Sequence, residues 1–194
     1  VFSVKQAGVP LGVALAAFLA PILTTWVGWR GASLILAATA LVIAFALEPC
    51  RQEFDKDRKP RHPLTLSSAR ETFLAVLDRP GLRMLATTAF AFIGLQAVYT
   101  NFTVVYLAQE LGYGLEEAGA SLAVATLVAA PGRIVWGWVS SVFISPRILL
   151  VGLAVGMSIG AVGMGFYDRT WGHLAVMLPL ICISATALSW HGVL

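Results

Sequence analysis

The sequence predicts an all-α fold: a polytopic membrane helix bundle with six transmembrane helices. Three observations carry this. Apolar residues make up 58% of the 194 residues and charged residues only 12%, about half the charged share of an ordinary soluble domain. Mean hydropathy is +0.82. The apolar residues gather into six runs, each near the roughly 20 residues that cross a bilayer core. A soluble fold of this length exposes too much of its chain to hide so much apolar surface. A soluble enzyme, a nucleic-acid-binding module and a disordered chain are therefore excluded. The net charge of +3 reads instead as basic cytoplasmic loops.

The first run is Ala7–Val27, closed by Gly28-Trp29-Arg30. The second, Gly31–Leu47, is short and borrows flanking residues. The third to sixth are Met84–Leu107, Ala118–Val139, Ile148–Tyr167 and Leu174–Leu194. All should be helices, because an open strand in lipid leaves backbone groups unpaired. No signal-peptide pattern precedes the first run. The chain opens on Val1 and stops inside an apolar run, so it reads as an interior piece of a longer membrane protein.

Residues 48–83 form one long polar stretch. It carries Arg51, Lys56, Arg58, Lys59, Arg61, Arg70, Arg79 and Arg83, with Pro49, Pro60 and Pro63 breaking its first part. Its second part, Ser68–Leu77, predicts a short helix. Ser68 and Glu71 have capping-box spacing, and Phe73, Leu74 and Leu77 make one apolar stripe. Such a helix lies on the membrane surface or under the bundle, or else serves a regulatory partner. With this loop in the cytoplasm, Lys5, the eight loop residues, Arg133 and Arg147 face inward, and only Arg30 and Arg169 face outward. That split fixes the orientation by the positive-inside rule.

Small residues Gly8, Gly12, Ala16 and Ala20 recur every four positions on the first run, followed by Pro21. This spacing predicts a close helix contact. Gly152, Gly156 and Gly160 repeat it on the fifth. Cys50 and Cys182 form no CxxC or paired framework, so neither a metal nor a disulfide is implied. Cys182 reads as a small apolar filler.

Two spans, a basic loop and four further spans resemble the middle of a major facilitator superfamily transporter. Local motifs sharpen the likeness. Ala20-Pro21-Ile22-Leu23-Thr24-Thr25 before Gly28-Trp29-Arg30 resembles the superfamily's fifth-helix G-P-x-x-G-G pattern, associated with exporters; Ala20, Thr24 and Thr25 replace its glycines. Gly132-Arg133 and Gly137 resemble the second-half copy of the cytoplasmic gating motif, with Ser141 and Val142 where the family has Asp and Arg. Thr186–Val193 and Ser3–Gly12 are similar to a bacterial branch. The resemblance implies twelve helices, of which these are the fifth to tenth. Residues 1–47 would end the N-terminal half, 48–83 would link the halves, and 84–194 would open the C-terminal half. It further implies a secondary transporter of a small solute in a bacterial inner membrane, working by alternating access with ion coupling. Gly132, Arg133 and Gly137 would take part in gating. The alternative for Arg133 is snorkelling to the headgroups.

Candidate solute contacts follow from polar residues at depth, which are costly in hydrocarbon. At about 100° per residue, Thr88, Phe92, Gln96, Tyr99, Thr103 and Tyr106 share an arc of about 80° on the third run. That face lines either a wet cavity or a hydrogen-bonded helix seam; the resemblance places the seventh helix on the cavity. Phe92, Gln96, Tyr99 and Thr103 are its candidate contacts, with Asn101 on the other side. In the sixth run, Trp190 is a candidate aromatic wall, and His191 reads as a packing residue. No Asp or Glu lies within any run to carry a proton. Lipid, the small solute and the remaining helices of the same chain are the expected partners; no nucleic acid or cofactor is expected. HExxH and GxSxG are lacking, which argues against an intramembrane enzyme. A channel or permease subunit is the alternative reading.

Overall fold

The structure, a computed structural model, describes residues 2–51, 66–167 and 172–193. Lys56 and its basic neighbours, and Arg169, lie outside the described residues, as does the side chain of Ser68. Seven α-helices appear among the described residues: α1 (Phe2–Leu47), α2 (Leu66–Asp78), α3 (Pro80–Gln109), α4 (Leu115–Leu127), α5 (Ala129–Val142), α6 (Pro146–Gly165) and α7 (His173–Ala187). Short 3₁₀ turns cover Glu48–Cys50 and Trp190–Gly192. The chain divides into two compact units, Val1–Ile22 with Phe90–Leu194, and Leu23–Ala89.

In the Leu23–Ala89 unit, Gly28 interrupts α1 with φ 72° and ψ 165°. That conformation suits glycine, which has no Cβ to clash. The residues on either side are separate helices, as the Gly28-Trp29-Arg30 punctuation predicts. Trp26, Phe45 and their neighbours are exposed, the surface expected of helices against lipid tails. Hydroxyls on this surface are spent locally: Ser33 Oγ donates to Trp29 O at 2.8 Å and Thr39 Oγ1 to Ile35 O at 2.8 Å. These two hydroxyls are thereby not left bare in hydrocarbon. α2 forms where a short helix is expected, and Phe73, Leu74 and Leu77 stand exposed along it.

The other unit is built around α7. Val176, Leu180, Ile183, Ala187 and Leu188 join Tyr99 and Leu107 of α3 and Ala118, Leu122 and Ala125 of α4 in one apolar core. The predicted fourth span is one apolar stretch, Leu115–Val142, interrupted by a turn at Val128. Pro131 donates no hydrogen bond and its ring crowds the carbonyl of Leu127, four residues back, so α4 gives way to α5 around Val128. The predicted sixth span also stops being α-helical at Ala187 and continues as a turn.

The glycine spacing on α6 marks a close contact. A Cβ at Gly156 would lie 2.8 Å from Thr186 Cγ2, and one at Gly160 would lie 2.6 Å from Ile183 Cγ1. Gly152 meets open space. Among the described residues, α1 is buried mainly through another face than the small-residue stripe. Gly8, Gly12 and Ala16 are exposed and both glycines meet nothing within 4 Å. Ala7, Pro10, Ala14 and Pro21 are buried instead, with Ala17 and Ala20 half-buried. The centres of the two faces lie about 160° apart around the helix. The close approach is supplied from α4: a Cβ at Gly119 would run into the Pro21 ring and the Ala17 carbonyl. Gly119→Leu is therefore expected to lower the membrane level and melting temperature of the full-length protein. Fluorescence size-exclusion chromatography with a thermal ramp reads both, and wild-type values for Gly119→Leu would contradict this packing.

Candidate functional site

The polar face of α3 divides when it meets its neighbours. Tyr99 is buried, its hydroxyl 3.0 Å from Leu180 O, to which it donates, and 2.8 Å from Ser184 Oγ. Tyr106 donates to Met164 O of α6 at 3.0 Å. Thr103 and Thr88 donate to carbonyls of their own helix, Tyr99 O at 2.6 Å and Met84 O at 2.9 Å. Phe92 is buried against Trp190, with ring centroids 5.2 Å apart. Much of this stripe is thus a helix seam, the second of the two arrangements open from sequence. Such interhelical hydrogen bonds contribute about 0.6–2 kcal/mol each within a bilayer. Tyr99 and Thr103 also border an apolar groove with Leu95, Val98, Phe102 and Ile183.

Gln96 is different. It is half-buried, its Oε1 is shielded from solvent, and no described residue bonds it. With Ile93, Ala97, Thr100 and Asn101 of α3 it lines a cleft of about 400 Å³, closed on another side by His191. His191 Nδ1 is buried and likewise without a partner among the described residues. Its ring stacks on Trp190 at 4.1 Å between centroids. Trp190 is itself 2% exposed and its Nε1 also lacks a described partner. Buried polar atoms are nearly always bonded, so these three stand out among the described residues. From sequence His191 reads as a packing residue, on the assumption that the sixth run is one α-helix. The 3₁₀ turn at Trp190–Gly192 breaks that 100° periodicity and turns the imidazole to α3. Asn101 also borders the cleft, although exposed, with its Nδ2 donating to Ala97 O at 2.8 Å.

A second node joins α5 to the end of α7. Arg133 is 1% exposed. Its Nε donates to Leu188 O at 2.8 Å and its Nη1 to Gln6 O of α1, while Nη2 has no described partner. Trp136 Nε1, one turn on, donates to Ala185 O at 2.8 Å. Ser189 Oγ lies 3.2 Å from both Ala129 O and Ser184 O, its one proton shared between them. The final carbonyls of a helix have no partner within it. Here side chains of α5 and Ser189 supply partners to three of those at the end of α7. That is how a helix can stop among apolar surroundings, since irregular backbone at membrane depth survives only where protein satisfies it. The cation also sits at the negative end of the α7 dipole. Gly132 packs on Ser189, and Gly192 packs directly on the Arg133 backbone.

The profile of the Major Facilitator Superfamily matches residues 1–193. The chain belongs to this superfamily. It is accordingly a multi-pass membrane transport protein, of a family of transporters rather than enzymes. No curated protein and no solved structure matches it.

Within this superfamily chain, the Gly132, Arg133 and Gly137 positions fall on one helix, α5. Gly137 is half-buried, and its carbonyl accepts from Ser140 Oγ at 2.9 Å. Arg133 does not reach outward as a snorkelling side chain would. Its guanidinium turns into the bundle and clasps main-chain carbonyls on two other helices. At the opposite end of α4 and α7, His173 Nδ1 lies 4.0 Å from Glu117 Oε1, and the His173 ring lies 5.6 Å from that of Tyr113.

Proposed function

We propose that this protein is a secondary active transporter that moves a small solute across the bacterial inner membrane, coupled to an ion gradient. Residues 1–47 are read as the last two helices of its N-terminal half, 48–83 as the cytoplasmic link, and 84–194 as the first four helices of its C-terminal half. The observation that supports the solute site is the cleft lined by Gln96 and His191, each of which has a buried polar atom without a described partner. In this reading Gln96 touches the solute, Trp190 and Phe92 form the aromatic support behind it, and Tyr99 and Thr103 position α3 from its other flank. Arg133, with Gly132 and Gly137, belongs to the moving parts. Its bond to Gln6 O joins the first span to the C-terminal half, so rocking the halves about a midplane site requires that bond to form in one state and break in another.

Gln96→Ala in the full-length protein is expected to reduce transport at least about fivefold with normal membrane levels, since an unmatched hydrogen bond to a ligand costs about 1–3 kcal/mol. Ile93→Ala, on the same cleft but apolar, should cost less than threefold. The assay is uptake or export of a solute found by screening in transport-deficient cells. Equal rates for both variants would remove Gln96 from the site.

A further inference from the structure

Resting on the reading of residues 48–83 as the cytoplasmic link, we infer that α2 is an interfacial helix whose partner is the lipid of the cytoplasmic leaflet. Its apolar stripe enters the acyl boundary, and Arg70 reaches back to the headgroup phosphates. Chain connection sets the depth. α2 ends at Asp78 and α3 starts at Pro80, so Arg79 alone joins them. Pro80 disfavours helical backbone at the residue before it, and Arg83 N donates to Arg79 O at 3.0 Å to start the new helix. α3 has 30 residues. At 1.5 Å per residue that is about 45 Å, the hydrocarbon core plus both headgroup layers. Its first turn, with Arg83, therefore stands among headgroups, and exposed Leu82, Met84 and Leu85 follow at once. The exposed stripe of Phe73, Leu74 and Leu77 begins one joint away, at the same depth, and continues the lipid-facing surface of α3.

Arg70 separates lipid from a protein partner. Counting about 100° per residue, it lies within about 20° of the stripe's centre, one turn before Phe73 and Leu74. Glu71 and Asp78 lie about 90–120° round the helix from that centre. A protein groove that took Phe73 and Leu77 would also have to bury the guanidinium, at several kcal/mol unless it supplied a matched carboxylate. A bilayer surface needs no such match. The arginine lays its methylenes along the apolar stripe and lifts its charge to the phosphates, where a basic residue near an anionic surface contributes about 1 kcal/mol. Arg70, Arg79 and Arg83 are all exposed, so basic side chains flank the stripe at both ends. The two carboxylates point away from the layer that would repel them.

The test uses the full-length protein on a cysteine-free background, in nanodiscs of phosphatidylcholine and phosphatidylglycerol. Nitroxides are attached singly to Phe73→Cys and Leu77→Cys on the stripe, and to Glu71→Cys and Ala75→Cys off it. Power saturation compares access of oxygen, which concentrates among acyl chains, with access of a water-soluble nickel chelate. The oxygen-to-nickel ratio is expected to be at least about threefold higher at the two stripe positions, as for a helix face sunk about 5–10 Å into the boundary. Arg70→Glu is expected to shrink that difference. Equal ratios at all four positions would place α2 in water and overturn the inference. Stripe positions shielded from both reagents would mean packing against protein and would overturn it too. A difference untouched by Arg70→Glu would remove the arginine's part. The cytoplasmic reading is checked separately with a membrane-impermeant maleimide. Ala75→Cys should react in inside-out vesicles and not in right-side-out ones; the reverse would overturn the reading of the link, whatever the nitroxides report.

Discussion

Gly192→Val should yield little folded protein. A Cβ at Gly192 would occupy the space of the Arg133 carbonyl, and both partners are main chain, so no side chain can swing aside. Overpacking a core ordinarily costs about 1–3 kcal/mol because rotamers adjust; here the 3₁₀ turn must separate from α5, and the loss should exceed that range. Separation would also withdraw Leu188 O from Arg133 and Ser189 from Ala129 O. Gly192→Ala should show the same defect. Gly8→Ala is the control, because a Cβ there meets nothing within 4 Å. Membrane yield and melting temperature of the full-length protein measure both, and a Gly192→Ala variant as stable as Gly8→Ala would contradict the contact.

Arg133→Leu has the second large effect expected. It leaves Leu188 O, which is buried, and Gln6 O, which is part-buried, without their donor. Each unsatisfied buried group costs about 1–3 kcal/mol, and the α7 terminus also loses a favourable cation. Transport should fall to background and the melting temperature should drop. Arg133→Lys should recover part of the stability but little transport, because a single ammonium on a flexible stem cannot reproduce the planar fork that serves two carbonyls on different helices. Full transport by Arg133→Leu would show that the clasp takes no part in the cycle.

The six spans were legible because periodicity and length report on lipid directly, and Gly28 marked its own break. Gly156 and Gly160 were legible because spacing alone places them on one stripe. What spacing could not decide was which stripe a partner chooses. On α1 both faces are small, and the α4 contact fell to Ala17 and Pro21 rather than Gly12 and Ala16. Pro131 was visible in the sequence, but the apolar run across it masked its effect on the helix. The face of α3 was found, yet its chemistry divided: the Tyr99 hydroxyl is consumed by Leu180 O and Ser184, while Gln96 is left over. That depends on which carbonyls α7 offers, which no local pattern encodes. The place of His191 beside the cleft was not legible for the related reason that helix termination by side chains from α5 is a tertiary event.

The most direct test of alternating access is a distance measurement across the Gln6–Arg133 clasp. Spin labels at Val9 and Ile134, both exposed and close in sequence to the clasp, can be read by double electron–electron resonance in the full-length protein in nanodiscs. The account predicts two distance populations, exchanged by a change in pH or ion concentration, with the shorter one depleted in Arg133→Leu. A single narrow distance, unchanged by ions and by Arg133→Leu, would contradict it.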